Sequence, residues 1–153
     1  MTFTRAHSTG LVGVCWVLAV LLNLGGCASA KNRADDQRNM ALTKATENYR
    51  KLIRWGYFEE ASRYFRARND ELPAPDLANF APWTVTGYDM GEVRVGDTAN
   101  EARILARIDF YRKDTRIVSN VRDEQLWWYD TTQKSWFLGT PMPDFAKAAQ
   151  PSR

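Results

Sequence analysis

The 153 residues are 44% hydrophobic, 12% aromatic and 25% charged, with 21 Lys and Arg against 18 Asp and Glu. That composition excludes a disordered or fibrous chain and leaves room for one ordinary domain. No catalytic, metal or nucleotide-binding motif stands out, so no cofactor is expected, and the small positive charge gives no reason to expect a nucleic acid.

Residues 1–26 have the make-up of an export signal. Arg5 gives a positive start, and Leu11 to Leu22 is an apolar run of 12 residues, the length of a signal core rather than the roughly 20 residues a spanning helix needs. Leu24-Gly25-Gly26-Cys27 follows directly. This segment resembles the lipobox of bacterial lipoproteins, which implies cleavage before Cys27 and a diacylglycerol on its thiol. Acyl chains contribute about 0.8 kcal/mol per buried CH₂, so several of them hold a domain at a bilayer. Ala28 is not the Asp that the resemblance associates with retention at the inner membrane. The expected address in a cell with two membranes is therefore the inner leaflet of the outer membrane, facing the periplasm. The competing readings are a plain secretory signal cut near Ala28-Ser29-Ala30 and an uncleaved anchor.

Cleavage at Cys27 removes Arg5, His7 and Cys15, which leaves no histidine and one cysteine. Ser-His-Asp and Cys-His arrangements, His/Cys metal sites and internal disulfides are then all excluded. Residues 27–35 (CASAKNRAD) read as a short polar tether. Leu42, Ala45, Tyr49, Leu52 and Ile53 form one apolar stripe on a helix predicted from about Asp36 to Trp55. Gly56 suits its C-terminus. Tyr57, Phe58, Ala61, Tyr64 and Phe65 form the inward side of a second helix, with Glu59 and Glu60 in its first turn and Arg63, Arg66 and Arg68 in its last.

Leu72-Pro73-Ala74-Pro75 ends the helical part, and from Trp83 the period is two. The spacing predicts strands over Trp83–Val95, Glu101–Lys113, Ile117–Tyr129 and Lys134–Leu138, with Gly87 and Gly91 as bends or bulges in the first. In the second strand Ala102, Ile104, Ala106, Ile108 and Phe110 face the core, and Glu101, Arg103, Arg107, Asp109 and Tyr111 face away. A frayed tail is expected from Ala146. The sum is a single α+β domain over residues 36–145, an N-terminal helix pair packed against a curved four-stranded antiparallel meander. The helical pair broken at Trp55-Gly56-Tyr57, the long strands with glycine bends and the terminal hairpin with Trp136 resemble the nuclear transport factor two-like, or SnoaL-like, superfamily. That resemblance is one of architecture over roughly residues 36–140. It implies a cone-shaped fold hosting enzymes as well as binding modules.

Two candidate sites follow. In a cone, a pocket for a small apolar ligand or for histidine-free catalysis would use a carboxylate with an elevated pKa and a tyrosine, with Asp109, Tyr111, Tyr88 and Tyr49 as candidates. Alternatively, Trp127, Trp128 and Tyr129 alternate across the sheet, placing large aromatics on both faces. The competing reading is simple internal packing against Trp136, Phe137 and Phe145. With Arg103, Arg107 and Arg122 as a polar rim, the same aromatics form a candidate surface for an envelope protein partner or for self-association. The reading is of a lipid-anchored, non-catalytic binding protein supporting an envelope or secretion assembly.

Overall fold

The structure, a computed structural model, describes residues 26–68 and 73–150, with side chains described from Lys31 onward. The stretch before Gly26, read as an export signal, and the Cys27 side chain therefore lie outside the described residues. The chain divides into two compact units between Gln37 and Arg38. Of the first, the described part is entirely helical.

Helix α1 (Gly26–Trp55) starts well before the expected Asp36. The stretch read as a tether is helical because Ala28, Ala30, Lys31, Arg33, Ala34 and Gln37 all favour helix and no proline interrupts them. In the second unit α1 buries Leu42, Thr46, Tyr49 and Ile53 along one stripe. Thr46, the polar member, turns its hydroxyl back to donate to the Thr43 carbonyl at 3.1 Å. The helix ends in a Schellman motif at Gly56 (φ 77°). There the Gly56 N–H donates to Ile53 O at 3.1 Å and the Tyr57 N–H to Leu52 O at 2.8 Å.

Helix α2 (Phe58–Ser62) is shorter than the expected run to Arg68. A non-local pairing takes over its last turns: the Leu138 N–H donates to Tyr64 O at 2.7 Å and the Arg66 N–H to Leu138 O at 2.9 Å. Phe65 thus makes a parallel bridge that covers the edge of the last strand. After a 3-10 turn at Leu77–Phe80, four strands follow, β1 (Trp83–Val95), β2 (Glu101–Arg112), β3 (Val118–Asp130) and β4 (Ser135–Leu138). They form one sheet in the order β1-β2-β3-β4, antiparallel throughout. Its strand limits agree closely with the predicted ones.

Both glycines in β1 mark a register shift. The pairing steps from Val85 opposite Phe110 to Gly87 opposite Asp109, and from Met90 opposite Ala106 to Val93 opposite Ile104. At Gly91 a Cβ would lie 2.6 Å from the Leu105 carbonyl oxygen, so only glycine admits this bulge.

The core lies between α1 and one face of the sheet. Ala102, Ile104, Ala106, Ile108 and Phe110 of β2 are all buried. Tyr49, Tyr64 and Trp127 meet edge to face there, with Tyr49 and Trp127 centroids 5.6 Å apart. Phe145 plugs a second aromatic cluster with Phe58, Phe80, Trp83 and Phe110. It does so from α3 (Phe145–Ala148), capped by Asp144, whose carboxylate accepts from the Lys147 N–H at 2.9 Å. The stretch expected to fray from Ala146 is instead helical to Ala148, held by a buried anchor and a cap.

Candidate functional site

The face of the sheet turned away from the core is open. Cross-strand register places Arg94 directly opposite Arg103, and Arg107 directly opposite Arg122. Like charges so placed oppose folding rather than support it. Arg107 Nε lies 3.3 Å from Asp109 Oδ1 and Arg94 Nη2 lies 3.1 Å from Glu92 Oε2. Among the described residues, Arg103 and Arg122 have no carboxylate partner. Leu105 projects between the two arginine rows and is 47% exposed. A groove of about 490 Å³ runs beside it, lined among others by Arg94, Arg103, Glu124, Leu126 and Thr140. Beyond β2, Ile117 in the connection and Val118 at the start of β3 are also exposed.

The three aromatic candidates separate. Trp127 is a correction: it is fully buried, because its parity in β3 is that of the core. Tyr129 shares that parity and packs on Trp136, with centroids 5.5 Å apart, under the Arg38 guanidinium. Trp128 alone lies on the open face, and it is half-buried there. Its indole N–H donates to Arg66 O at 3.0 Å, and its ring lies 5.6 Å from that of Phe137. Arg66 stands 4.4 Å over the Phe137 ring and pairs with Asp130 at 3.1 Å, covering this end of the face. The exposed apolar contribution therefore comes from Leu105 and Val118 rather than from the tryptophans. Arg103, Arg107 and Arg122 do share the open face.

The pocket candidates do not converge. Asp109 and Tyr111 are on the open face, whereas Tyr88 and Tyr49 are buried on the core side. The separation is strand alternation itself, since Ile108 and Phe110, which precede Asp109 and Tyr111 in β2, point inward. A different carboxylate meets the tyrosines. Asp123 and Gln125 are both buried on the core face of β3. The Gln125 amide nitrogen donates to Asp123 Oδ2 and to the Tyr88 hydroxyl, each at 2.6 Å, and its oxygen accepts from Trp127 Nε1–H at 3.0 Å. Trp127 can only donate, so the amide orientation is set by chemistry.

Burial pushes the Asp123 carboxyl up to about 6, and the Gln125 hydrogen bond opposes that rise. Burial, then the neighbouring Asp123 charge, likewise raises Tyr49 and Tyr88. The Tyr49 hydroxyl is buried without a hydrogen-bond partner among the described residues. A missed signal was available in the sequence: counted back from Trp127 by twos, the inward positions are Gln125 and Asp123. Among the described residues, no three His, Cys, Asp or Glu side chains gather as a cation site requires.

The fold and its face define an α+β domain with an open antiparallel sheet bearing an arginine-framed apolar surface. Comparison with family models, with curated proteins and with solved structures returned no match.

Proposed function

We propose that this chain is a lipid-anchored envelope lipoprotein whose second unit binds a protein partner through the open sheet face, without catalysis. Cys27 carries the lipid, and the periplasmic side of an outer membrane is the address. A nuclear transport factor two-like ancestry belongs to the same reading, supported by the long bent strands behind a helix with a Schellman end.

One observation carries the binding role. Two directly opposed arginine pairs flank the exposed Leu105, an arrangement unfavourable for folding alone and suited to an acidic, partly apolar counterpart. The filled core supports a binding surface over an internal ligand pocket, because Asp109 faces out and the Asp123 cluster is packed by Gln125, Tyr88 and Trp127. Among the described residues, no helix is long and apolar enough to cross a membrane. In this reading the acyl chains on Cys27 are the means of attachment.

Chemical crosslinking in intact cells, followed by affinity recovery and mass spectrometry, tests this function. Arg103→Glu and Arg122→Glu together should abolish recovery of an envelope partner while leaving the folded protein at its normal level. Equal recovery from that variant, or no partner from the unaltered chain, would refute the open-face reading.

A further inference from the structure

We propose that the C-terminal half of β1 is a self-association edge, at which two copies of this chain pair β1 with β1, antiparallel, about a two-fold axis through Val93. β1 is an outer strand of the sheet. Its hydrogen-bonding phase is readable from both ends, because antiparallel pairs alternate between bonded and non-bonded. The Gly96 N–H donates to Glu101 O at 2.8 Å, which makes that pair bonded. Counting back along the register, Arg94 is bonded to β2, and Val95 and Val93 turn their main-chain groups to the open edge.

At the other end the Lys113 N–H donates to Pro82 O at 2.9 Å, and the same count turns Val85 outward. There the Arg54 guanidinium donates to Val85 O at 2.8 Å. That bond checks the phase and shows how this half of the edge is covered. Among the described residues, no side chain does the same for Val93 or Val95.

Charge and shape name the occupant as a second copy. With the axis through Val93, Glu92 of each copy stands directly opposite Arg94 of the other, in the non-bonded positions where side chains come closest. Moving the axis to Arg94 would set that arginine against itself. Glu92 and Arg94 are both highly exposed and already lie on one side of the strand, 3.1 Å apart. On the opposite side Val93 and Val95 are 39% and 40% exposed, although their register is that of the core. They border a groove of about 190 Å³ with Leu42, Thr43, Thr46 and Met90. Pairing at the edge brings Val93 of the second copy against Val93 at the rim of that groove and covers it.

Sedimentation equilibrium of the full chain in detergent micelles tests the pairing, with Glu92→Arg, Arg94→Glu and the double reversal. The unaltered chain should show a monomer–dimer equilibrium. Each single reversal should weaken it by about tenfold or more, since it sets like charges opposite twice per dimer. The double reversal should restore it. All of these variants should keep the circular dichroism of the original, as exposed positions permit, and Arg94→Glu, which faces Arg103 with an opposite charge, should not lower the melting temperature. A monomer at every concentration would overturn the proposal and assign the bulge and the charges to keeping the edge unpaired. So would a dimer indifferent to single reversal, or a loss that the double reversal does not repair. Leu105→Arg should leave the dimer intact, so failure here and failure of the open-face reading are separable.

Discussion

Asp123 sits on the core face of β3 with Gln125 as its hydrogen-bond donor, and its pKa is raised to about 6. Because folding raises this value from 3.8, the folded chain holds the proton more tightly than the unfolded chain between about pH 4 and pH 6. Stability from this group is fully present below that window and is lost as pH rises through it, to the extent of about 3 kcal/mol. Asp123→Asn should therefore be more stable than the original chain at pH 7.5 and should flatten the fall between those pH values. Urea melts at both ends of the range check it. Gln125→Leu acts oppositely, leaving the Trp127 indole N–H and the Asp123 carboxylate without their partner. It should destabilise by about 2–4 kcal/mol, read from the same melts.

At the scale of elements, the two β1 bulges set the register that opposes Arg94 to Arg103. Gly91→Ala drives a methyl against the Leu105 carbonyl oxygen, at 2.6 Å from where Cβ must stand, and Gly87→Ala presses on the Asp109 carboxylate, a movable side chain, at 2.9 Å. Gly91→Ala should thus lower stability by about 2 kcal/mol or more and Gly87→Ala by distinctly less, measured by thermal melts. The strands were legible because their pattern is local: Ala102, Ile104, Ala106, Ile108 and Phe110 alternate without a break, and the turns carry Gly96-Asp97 and Asp130-Thr131. The length of α2 was not legible. Glu59 through Phe65 read as an amphipathic helix, and only the main-chain pairing of Tyr64 and Arg66 with Leu138 stops it. Nothing near residue 64 announces a partner that far along the chain. The site was half legible. Arg103, Arg107 and Arg122 follow from alternation, but their direct opposition depends on register, which bulges and hairpin lengths decide. Asp109 shares no pocket with Tyr49 and Tyr88, because its alternation in β2 puts it outside, beside Arg107.

For the whole molecule, the N-terminal signal and the open face have separate jobs under the proposed reading, and each is separately testable. Cys27→Ala should leave the protein unprocessed or release it from membranes, as fractionation and intact mass would show. A mature, membrane-bound form in that variant would remove the lipid anchor from the account. Phe145→Ala, by contrast, should cost about 3–5 kcal/mol by emptying the space among Phe58, Phe80, Trp83 and Phe110, and would lower protein abundance without touching the open face. Loss of binding accompanied by loss of fold is thereby distinguishable from loss of a contact.

The measurement that bears most directly on the central claim is photo-crosslinking in living cells from an amino acid carrying the reactive group in place of Leu105, with the exposed position of Thr132 as control. A discrete adduct with an envelope protein at position 105, absent at 132, is the expected result. The same adducts from both positions, or none from 105, would contradict a binding role for the open face.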